Sequence, residues 1–373
     1  MPPQKHAWCG PSSIGRVLAC PPSARFSAQF PDTESDYAQE GTEAHELCEY
    51  LVRKAMGEKV RNPKNKFKFW SEEMQQNAES YADFVMEQYE TAKQSCNDPV
   101  LMVEQRVDVS EYIPECFGTA DCILIADGTM TIIDYKNGAG VLVDVTDNPQ
   151  LKTYALGALE QFDFLYDIQN VRLVIFQPRR DNVSKWELPK SELLKWAEET
   201  LKPVAQLAYE GQGEYAAGEH CRFCKAKAVC RKRAEHNLML AQYDFAPPAE
   251  LDNEEIAIII SMAENLKNWV SDIKDYALKQ IMEGSPVPGY KVVEGRSNRC
   301  YSDEAEVAAA VSDAGYDPFE QKLLGITAMT KMLGKKKFEE ILGKLIYKPP
   351  GAPTLAPETD ERPALASAAD DFK

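Results

Sequence analysis

The chain has 373 residues, with 59 acidic against 42 basic side chains and a formal charge of −17. An excess of that size excludes indiscriminate coating of a polyanion, because the summed field repels phosphate; it does not exclude local basic surfaces, over which a net charge averages. No apolar run approaches the roughly 18 residues of a membrane-spanning helix, and the polar start Met1-Pro2-Pro3-Gln4-Lys5-His6 lacks the pattern of a leader. The expected setting is therefore cytoplasmic, and the ten cysteines are expected as metal ligands or small apolar side chains rather than disulfides.

In chain order, residues 1–30 read as a helical lead-in and residues 36–95 as mainly helical. Gly41 to Tyr50 carries His45 and Glu49 at i,i+4, and Ser71 to Ala92 has the pattern of an amphipathic helix. Between them Lys59, Arg61, Lys64, Lys66 and Lys68 interleave with Phe67, Phe69 and Trp70. That mixture suits single-stranded DNA, where charge and stacking both contribute, and equally suits a solvated loop with an apolar anchor. Strands are expected at 100–109, 120–126 and 129–136, the last two joined by Asp127-Gly128, a strong hairpin signal. A helix runs from Pro149 through Phe162 behind Asn148, a good cap. Val171 to Pro178 and Lys185 to Leu188 read as further strands, and residues 190–210 as a helix.

The hairpin carries the chemistry. It brings Asp121, early in one strand, close to Asp134, late in the next. Side chains on a strand repeat with period two, so Asp134 and Lys136 share a face and Tyr135 takes the other. Two carboxylates suffice to hold one Mg²⁺ or Mn²⁺, and the ammonium of Lys136 would orient or help deprotonate an attacking water, or neutralise developing charge. Taken alone, Asp-x-Lys is mostly a solvated strand edge with an incidental ion pair. The order of elements fits an α/β fold, a mixed central sheet flanked by helices, with the metal site at the sheet edge.

A second cluster is Cys221-x₂-Cys224-x₅-Cys230. Three thiolates at that spacing need a fourth ligand to complete a tetrahedral metal or a cubane cluster. Cys20, in Leu18-Ala19-Cys20-Pro21-Pro22, is the candidate for an iron–sulfur cluster, with His220 or Cys9 available for zinc; spacing alone does not separate the two metals. Cys48, Cys96, Cys116, Cys122 and Cys300 show no ligand spacing and are expected to pack as small apolar side chains. From Arg222 to Arg233 there are six basic residues and no acid, which makes Arg222, Lys225, Lys227 and Arg231 candidates for DNA binding. Lys331, Lys335, Lys336 and Lys337 form a third basic patch.

Phe245-Ala246-Pro247-Pro248 marks a boundary. Beyond it a long helix is expected from Leu251 to Glu283, with an apolar stripe at Ile256, Ile259, Ile260, Ala263 and Leu266. A short strand over Tyr290–Val293, two further helices and a disordered Pro- and Ala-rich tail follow. The expected division is 1–244, 249–348 as a mainly helical accessory region, and 349–373.

At these residues the chain resembles the PD-(D/E)XK nuclease superfamily, in its RecB-like iron–sulfur exonuclease branch. The resemblance rests on His45, Asp121 closing Gly118-Thr119-Ala120-Asp121, Asp134 with Lys136, and Gln150 with Tyr154, in matching order across roughly residues 10–235. Asp134 stands where the iron–sulfur relatives more often have Glu. The resemblance implies a restriction-endonuclease-like fold and a metal set of His45, Asp121 and Asp134, with Glu104 at a position that often holds a further acid. Gln150 and Tyr154 would orient Lys136 or the DNA backbone. It also implies a 4Fe–4S cluster on Cys20, Cys221, Cys224 and Cys230 that staples the early helices to the end of the domain. The whole chain, including the Lys-Pro-Pro-Gly-x-Pro-Thr-Leu segment at 348–355, is similar to a phage- and prophage-encoded family. Together these imply a metal-dependent DNA exonuclease in phage DNA replication or recombination, beside a single-strand-binding or annealing protein. The alternative is a non-catalytic recombination scaffold that binds DNA or a partner. Cleavage polarity, strand preference and oligomeric state are not written in the residues.

Overall fold

The computed structural model describes residues 7–31, 36–239, 252–294, 302–319 and 323–347. Its centre is a five-stranded mixed sheet of β1 (Val100–Asp108), β2 (Phe117–Ala126), β3 (Thr129–Tyr135), β4 (Asn170–Gln177) and β5 (Asn182–Pro189), adjacent in that order. All pairs are antiparallel except β3–β4. The β2–β3 hairpin closes at Ala126↔Thr129 through Asp127 (φ 47°) and Gly128 (φ 67°). Positive φ at both turn residues matches the right-handed strand twist, and Asp-Gly supplies it at little cost. The parallel β3–β4 pair needs a crossover, which is the helix α5 (Pro149–Tyr166). Asn148 starts that helix by accepting from the backbone N–H of Gln150 and Leu151.

Helices cover both faces, so the interior strands are apolar on each side. On one face α3 (Asp36–Ala55) and α4 (Glu72–Ser95) pack over Cys122, Leu124, Ile133, Tyr135, Val174 and Phe176. On the other, α5 and the lead-in helix α1 (Ile14–Ala19) meet Ile123, Ile125, Met130, Ile132, Leu173 and Ile175. Each such fully buried aliphatic side chain contributes about 1.5–3 kcal/mol relative to exposure. Gly157 lets α5 press onto β1, since a β-carbon there would lie 2.8 Å from the carbonyl oxygen of Asp108. A second lead-in helix, α2 (Ser23–Ser27), follows α1. The run after β5 is α6 (Lys190–Trp196), a π turn (Ala197–Leu201) and α7 (Lys202–Glu210). Pro203, just inside α7, has no N–H for residue 199, which accounts for the widened turn.

The compact units divide at Val292/Val293. The expected boundary near residues 245–248 lies outside the described residues. The long helix α9 (Asn253–Met282) belongs to the first unit and contacts α8 (Arg231–Leu238). Two expectations are corrected in the C-terminal part. Tyr290–Val293 is irregular, because four residues without a partner strand have no ladder to join. Among the described residues three α-helices follow where two were expected: α10 (Glu304–Asp313), α11 (Ile326–Leu333) and α12 (Lys335–Leu342), the last two separated by Gly334 at φ 75°. Cys300, the tail from 348, and the side chains of Lys331, Lys335 and Lys336 lie outside what is described. Among the described residues no helix is long and apolar enough to cross a membrane.

Candidate metal centre and cysteine cavity

Asp121 and Asp134 sit on adjoining interior strands, not at the sheet edge as expected; β1 and β5 are the edge strands. The β2–β3 ladder ends at Cys122↔Ile133, and beyond it the Asp121 Oδ2 atom accepts the Tyr135 N–H at 2.7 Å. A carboxylate thus replaces the next rung and is fixed by it. Gly118 makes room on the same strand, because a β-carbon there would fall 2.9 Å from Tyr154 Cε1 and 2.7 Å from Pro11 Cγ.

Three side chains from three elements converge here, Asp121 among them. His45 on α3 places Nδ1 3.2 Å from Asp121 Oδ1. Glu104 on β1 joins them, so that one ligand atom from each of His45, Glu104 and Asp121 lies within 4.8 Å of the others. An imidazole with two carboxylates fits a divalent ion that accepts oxygen and nitrogen, Mn²⁺ better than Mg²⁺. Burial disfavours charge on His45, yet Asp121, aided by Asp134, outweighs it and pushes the imidazole up to about 9. Burial and then the neighbouring Asp121 push Glu104 up to about 7. Asp121 itself, despite burial, is held below the usual carboxylate range by His45, the Tyr135 N–H and Lys136.

Beside this triad stands a second group. Lys136 Nζ lies 2.8 Å from Asp134 Oδ2 and donates to Gln150 Oε1 at 3.0 Å. Gln150 Nε2 in turn donates to Asp134 Oδ1 at 3.3 Å and to the Tyr154 hydroxyl at 3.4 Å. Asp134 and Lys136 do share one face, and Tyr135 packs on the other with Tyr81 and Phe176. Asp134 was expected to ligate beside Asp121; it lies outside the triad's 4.8 Å group. Its Oδ2 is buried and ion-paired, but the angle to Lys136 is not that of a hydrogen bond, so a lone pair stays uncommitted. Burial, with Asp121 adding, raises Asp134 above its ordinary value, while Asp134 and Asp121 hold Lys136 protonated against its burial. Gln177, fully buried, pins the loop after Lys136 by donating to the carbonyls of Gly138 and Val141 and accepting from Val143 N–H.

Sequence reasoning passed over Arg53. It extends the α3 face of His45 and Glu49 by one more turn and donates to the Val103 carbonyl at 2.8 Å, next to Glu104. The i, i+4, i+8 spacing was its only signal.

Cys20, Cys221, Cys224 and Cys230 line one small cavity with Ser23, Phe26, His220 and Arg233. The Gly218 N–H points at Cys221 Sγ (3.4 Å), and Ser27 Oγ lies 3.3 Å from Cys224 Sγ. Among the described residues, no three of these sulfurs lie within 4.8 Å of one another. Cys9, the alternative zinc ligand, is corrected: it is buried in the core under the sheet, where Ser13 donates to its sulfur and Cys116 to its carbonyl. His220 borders the cavity with Nε2 3.0 Å from the Ala216 carbonyl. Cys48, Cys96, Cys116 and Cys122 are buried and free of disulfides, as expected.

Of the residues expected to meet DNA, Arg222, Lys225 and Arg231 are exposed, and Arg222 lies over the Phe223 ring. Lys227 is half-buried and paired with Asp272 on α9 at 2.7 Å, so its charge is answered within the chain. In the basic run at 59–68, Lys66 meets Glu46 (3.6 Å), Lys68 meets Asp36 (3.1 Å), and Lys64 caps the Trp70 ring (3.4 Å).

A central sheet between helices, with acids, an imidazole and a lysine gathered at its interior strands, defines a mixed α/β protein with a candidate divalent-metal centre. The chain belongs to the family described as Protein of unknown function (DUF2800), whose family model matches residues 6–363. A solved structure titled "Crystal structure of SSO0001" is similar at 14% identity, over 50% of this chain and 95% of that one, with a TM-score of 0.23; a superposition that loose carries no argument.

Proposed function

We propose that this chain is a metal-dependent DNA exonuclease of the PD-(D/E)XK superfamily, in the RecB-like iron–sulfur branch, with a restriction-endonuclease-like core. The observation that supports it most is convergence: five elements (α3, β1, β2, β3 and α5) bring His45, Glu104, Asp121, Asp134, Lys136 and Gln150 to one place. Side chains scattered over more than 100 residues of sequence do not meet in this way to make a solvated strand edge.

In this reading His45, Glu104 and Asp121 hold Mg²⁺ or Mn²⁺, which when bound supplies Lewis-acid polarisation of the scissile phosphate. Gln150 takes one of the three donor directions of Lys136 while Asp134 lies beside it as counter-charge, which leaves a donor for the attacking water or a phosphoryl oxygen. Because its charge is held by Asp134 and Asp121, Lys136 acts as a donor and not as a base. The water oxygen bonds to phosphorus as the phosphorus–sugar oxygen bond breaks. The products are a sugar hydroxyl and a phosphate monoester, and the water's proton goes to solvent. Tyr154 supports Gln150 from the next turn of α5.

In the same reading a 4Fe–4S cluster is held by Cys20, Cys221, Cys224 and Cys230, the four thiols that line the cysteine cavity. The exposed Arg222, Lys225 and Arg231 on that module would lie against DNA. A phage replication or recombination setting, in a cell's cytoplasm beside a single-strand-binding or annealing protein, follows the resemblance. The test is Mn²⁺-dependent release of nucleotides from end-labelled single- and double-stranded DNA by anaerobically purified protein. Release that vanishes in Asp121→Ala and Lys136→Ala is expected; DNA binding with no release in the wild type favours the non-catalytic scaffold instead.

A further inference from the structure

Glu104 carries a backbone anomaly. Its φ is 51°, in the left-handed region, and among the described residues it is the one non-glycine inside a strand that adopts it. The others are four aspartates and Glu115, all between elements or at their ends. Short acceptor side chains tolerate that region in turns; a glutamate in mid-strand does not enter it without something holding it there. The β1–β2 register is continuous on either side, Val103↔Cys122 and Gln105↔Ala120, so no extra residue has been inserted. The strand is twisted at one residue, and that residue supplies the third carboxylate or imidazole group of the candidate metal centre.

Arg53 is the group placed to hold it. The Arg53 guanidinium donates through Nη2 to the Val103 carbonyl at 2.8 Å, immediately before the anomaly. Its other nitrogens are fixed by Glu49 at 2.8 Å and Glu58 at 3.3 Å. Since His45 and Arg53 belong to the same helix, α3 both contributes one ligand and braces the strand that presents another. A lysine could not do this, because one ammonium cannot span two carboxylates and a carbonyl in a plane.

We propose that Arg53 is a positioning residue: by gripping Val103 it keeps Glu104 turned into the metal centre, and so sets the affinity for the divalent ion. This rests on the metal centre described above and adds to it a residue that touches neither ion nor substrate. The test is Mn²⁺ titration by calorimetry on the full chain, comparing wild type, Arg53→Ala, Glu104→Gln and the double variant, with thermal melting as a folding control. Both single variants should weaken Mn²⁺ binding by about 10-fold or more, and the double variant should be no weaker than Glu104→Gln alone, because Arg53 acts through Glu104. Wild-type affinity in Arg53→Ala, or losses that simply multiply, would overturn the proposal. If Arg53→Ala does not fold, the same cycle is run with Arg53→Lys, where coupled losses support the proposal and absent or independent losses overturn it. His45→Ala and Asp121→Asn separate the two levels. If they too leave Mn²⁺ binding unchanged, or the wild type binds none, the centre itself falls; if they abolish it while Arg53→Ala keeps wild-type affinity, only the role of Arg53 falls.

Discussion

The carboxylate centre and the cysteine cavity are built on opposite plans. The first is built around two interior strands, with neighbours that fix their acids and the loop beyond: a ladder rung for Asp121, an amide for Asp134, a buried glutamine behind the loop after Lys136. The second stands on a short 3₁₀ segment, Glu219–Phe223, followed by turns, with its fourth thiol brought from residue 20. A site on a sheet keeps its shape without an ion, since packing and hydrogen bonds hold it. A site on turns has little else to hold it, so the metal would contribute folding energy there. The contrast predicts different failures: loss of chemistry with intact fold at one, loss of fold at the other.

The largest effect belongs to Lys136. Lys136→Ala should lower the single-turnover cleavage rate by about 10²–10³-fold, the usual loss for a preorganised donor to developing charge. Folding should change little, because Asp134 can take up a proton when its ion-pair partner is gone. A near-normal rate would remove Lys136 from the mechanism, and a collapsed melting curve would show that the strand plan is less self-sufficient than claimed. Next comes Cys221→Ala. It should abolish absorbance near 400 nm and cost several kcal/mol of stability, roughly what closing a long loop by ligation contributes. Removing the carboxylate-bound ion with chelator should leave the melting temperature almost unchanged. Equal melting shifts at both sites would erase the distinction.

A smaller effect is expected at the joint between the cysteine module and α9. Arg233 is 6% exposed, borders the cysteine cavity, and pairs with Asp272 at 2.5 Å; Lys227 pairs with the same carboxylate. Asp272→Asn leaves a buried guanidinium short of its counter-charge, at a cost of about 1–3 kcal/mol. Faster amide exchange along α9 than in the wild type is the readout, and unchanged exchange would mean that the pair does not hold the helix.

Much of the carboxylate centre was legible because its elements are regular. Period two put Asp134 with Lys136, Asp127-Gly128 fixed the hairpin, and Asn148 marked where α5 begins and hence where Gln150 and Tyr154 face. What was not legible is tertiary. Nothing in Val103-Glu104-Gln105 announces a left-handed residue, and nothing in Arg53 announces a partner 50 residues away. The interior position of the two acid strands depended on where β4 would pair, which a parallel crossover does not reveal in local composition. The basic–aromatic run at 59–68 left two readings open in the sequence, because composition does not say what its charges face. Lys66 and Lys68 face acids of α3, and Lys64 an aromatic ring close by.

The smallest effect is the most discriminating, because stability and binding should move in opposite directions. An L-residue in the left-handed region costs about 1–2 kcal/mol, which glycine does not incur. Glu104→Gly therefore removes a metal ligand and relieves the backbone at once, and glycine's larger unfolded-state entropy offsets part of the gain. The net expectation is a melting temperature equal to or slightly above that of the wild type, with Mn²⁺ affinity reduced at least as far as in Glu104→Gln. Glu104→Ala supplies the contrast: it loses the same carboxylate and keeps the strained φ, so it should melt below the glycine variant. If alanine and glycine melt alike, the strand is not strained at residue 104, and the anomaly reflects a twist that any side chain accommodates. If glycine melts higher yet binds Mn²⁺ as well as the wild type, the strain is real but Glu104 is no ligand, and the backbone would be contorted for some purpose other than the metal.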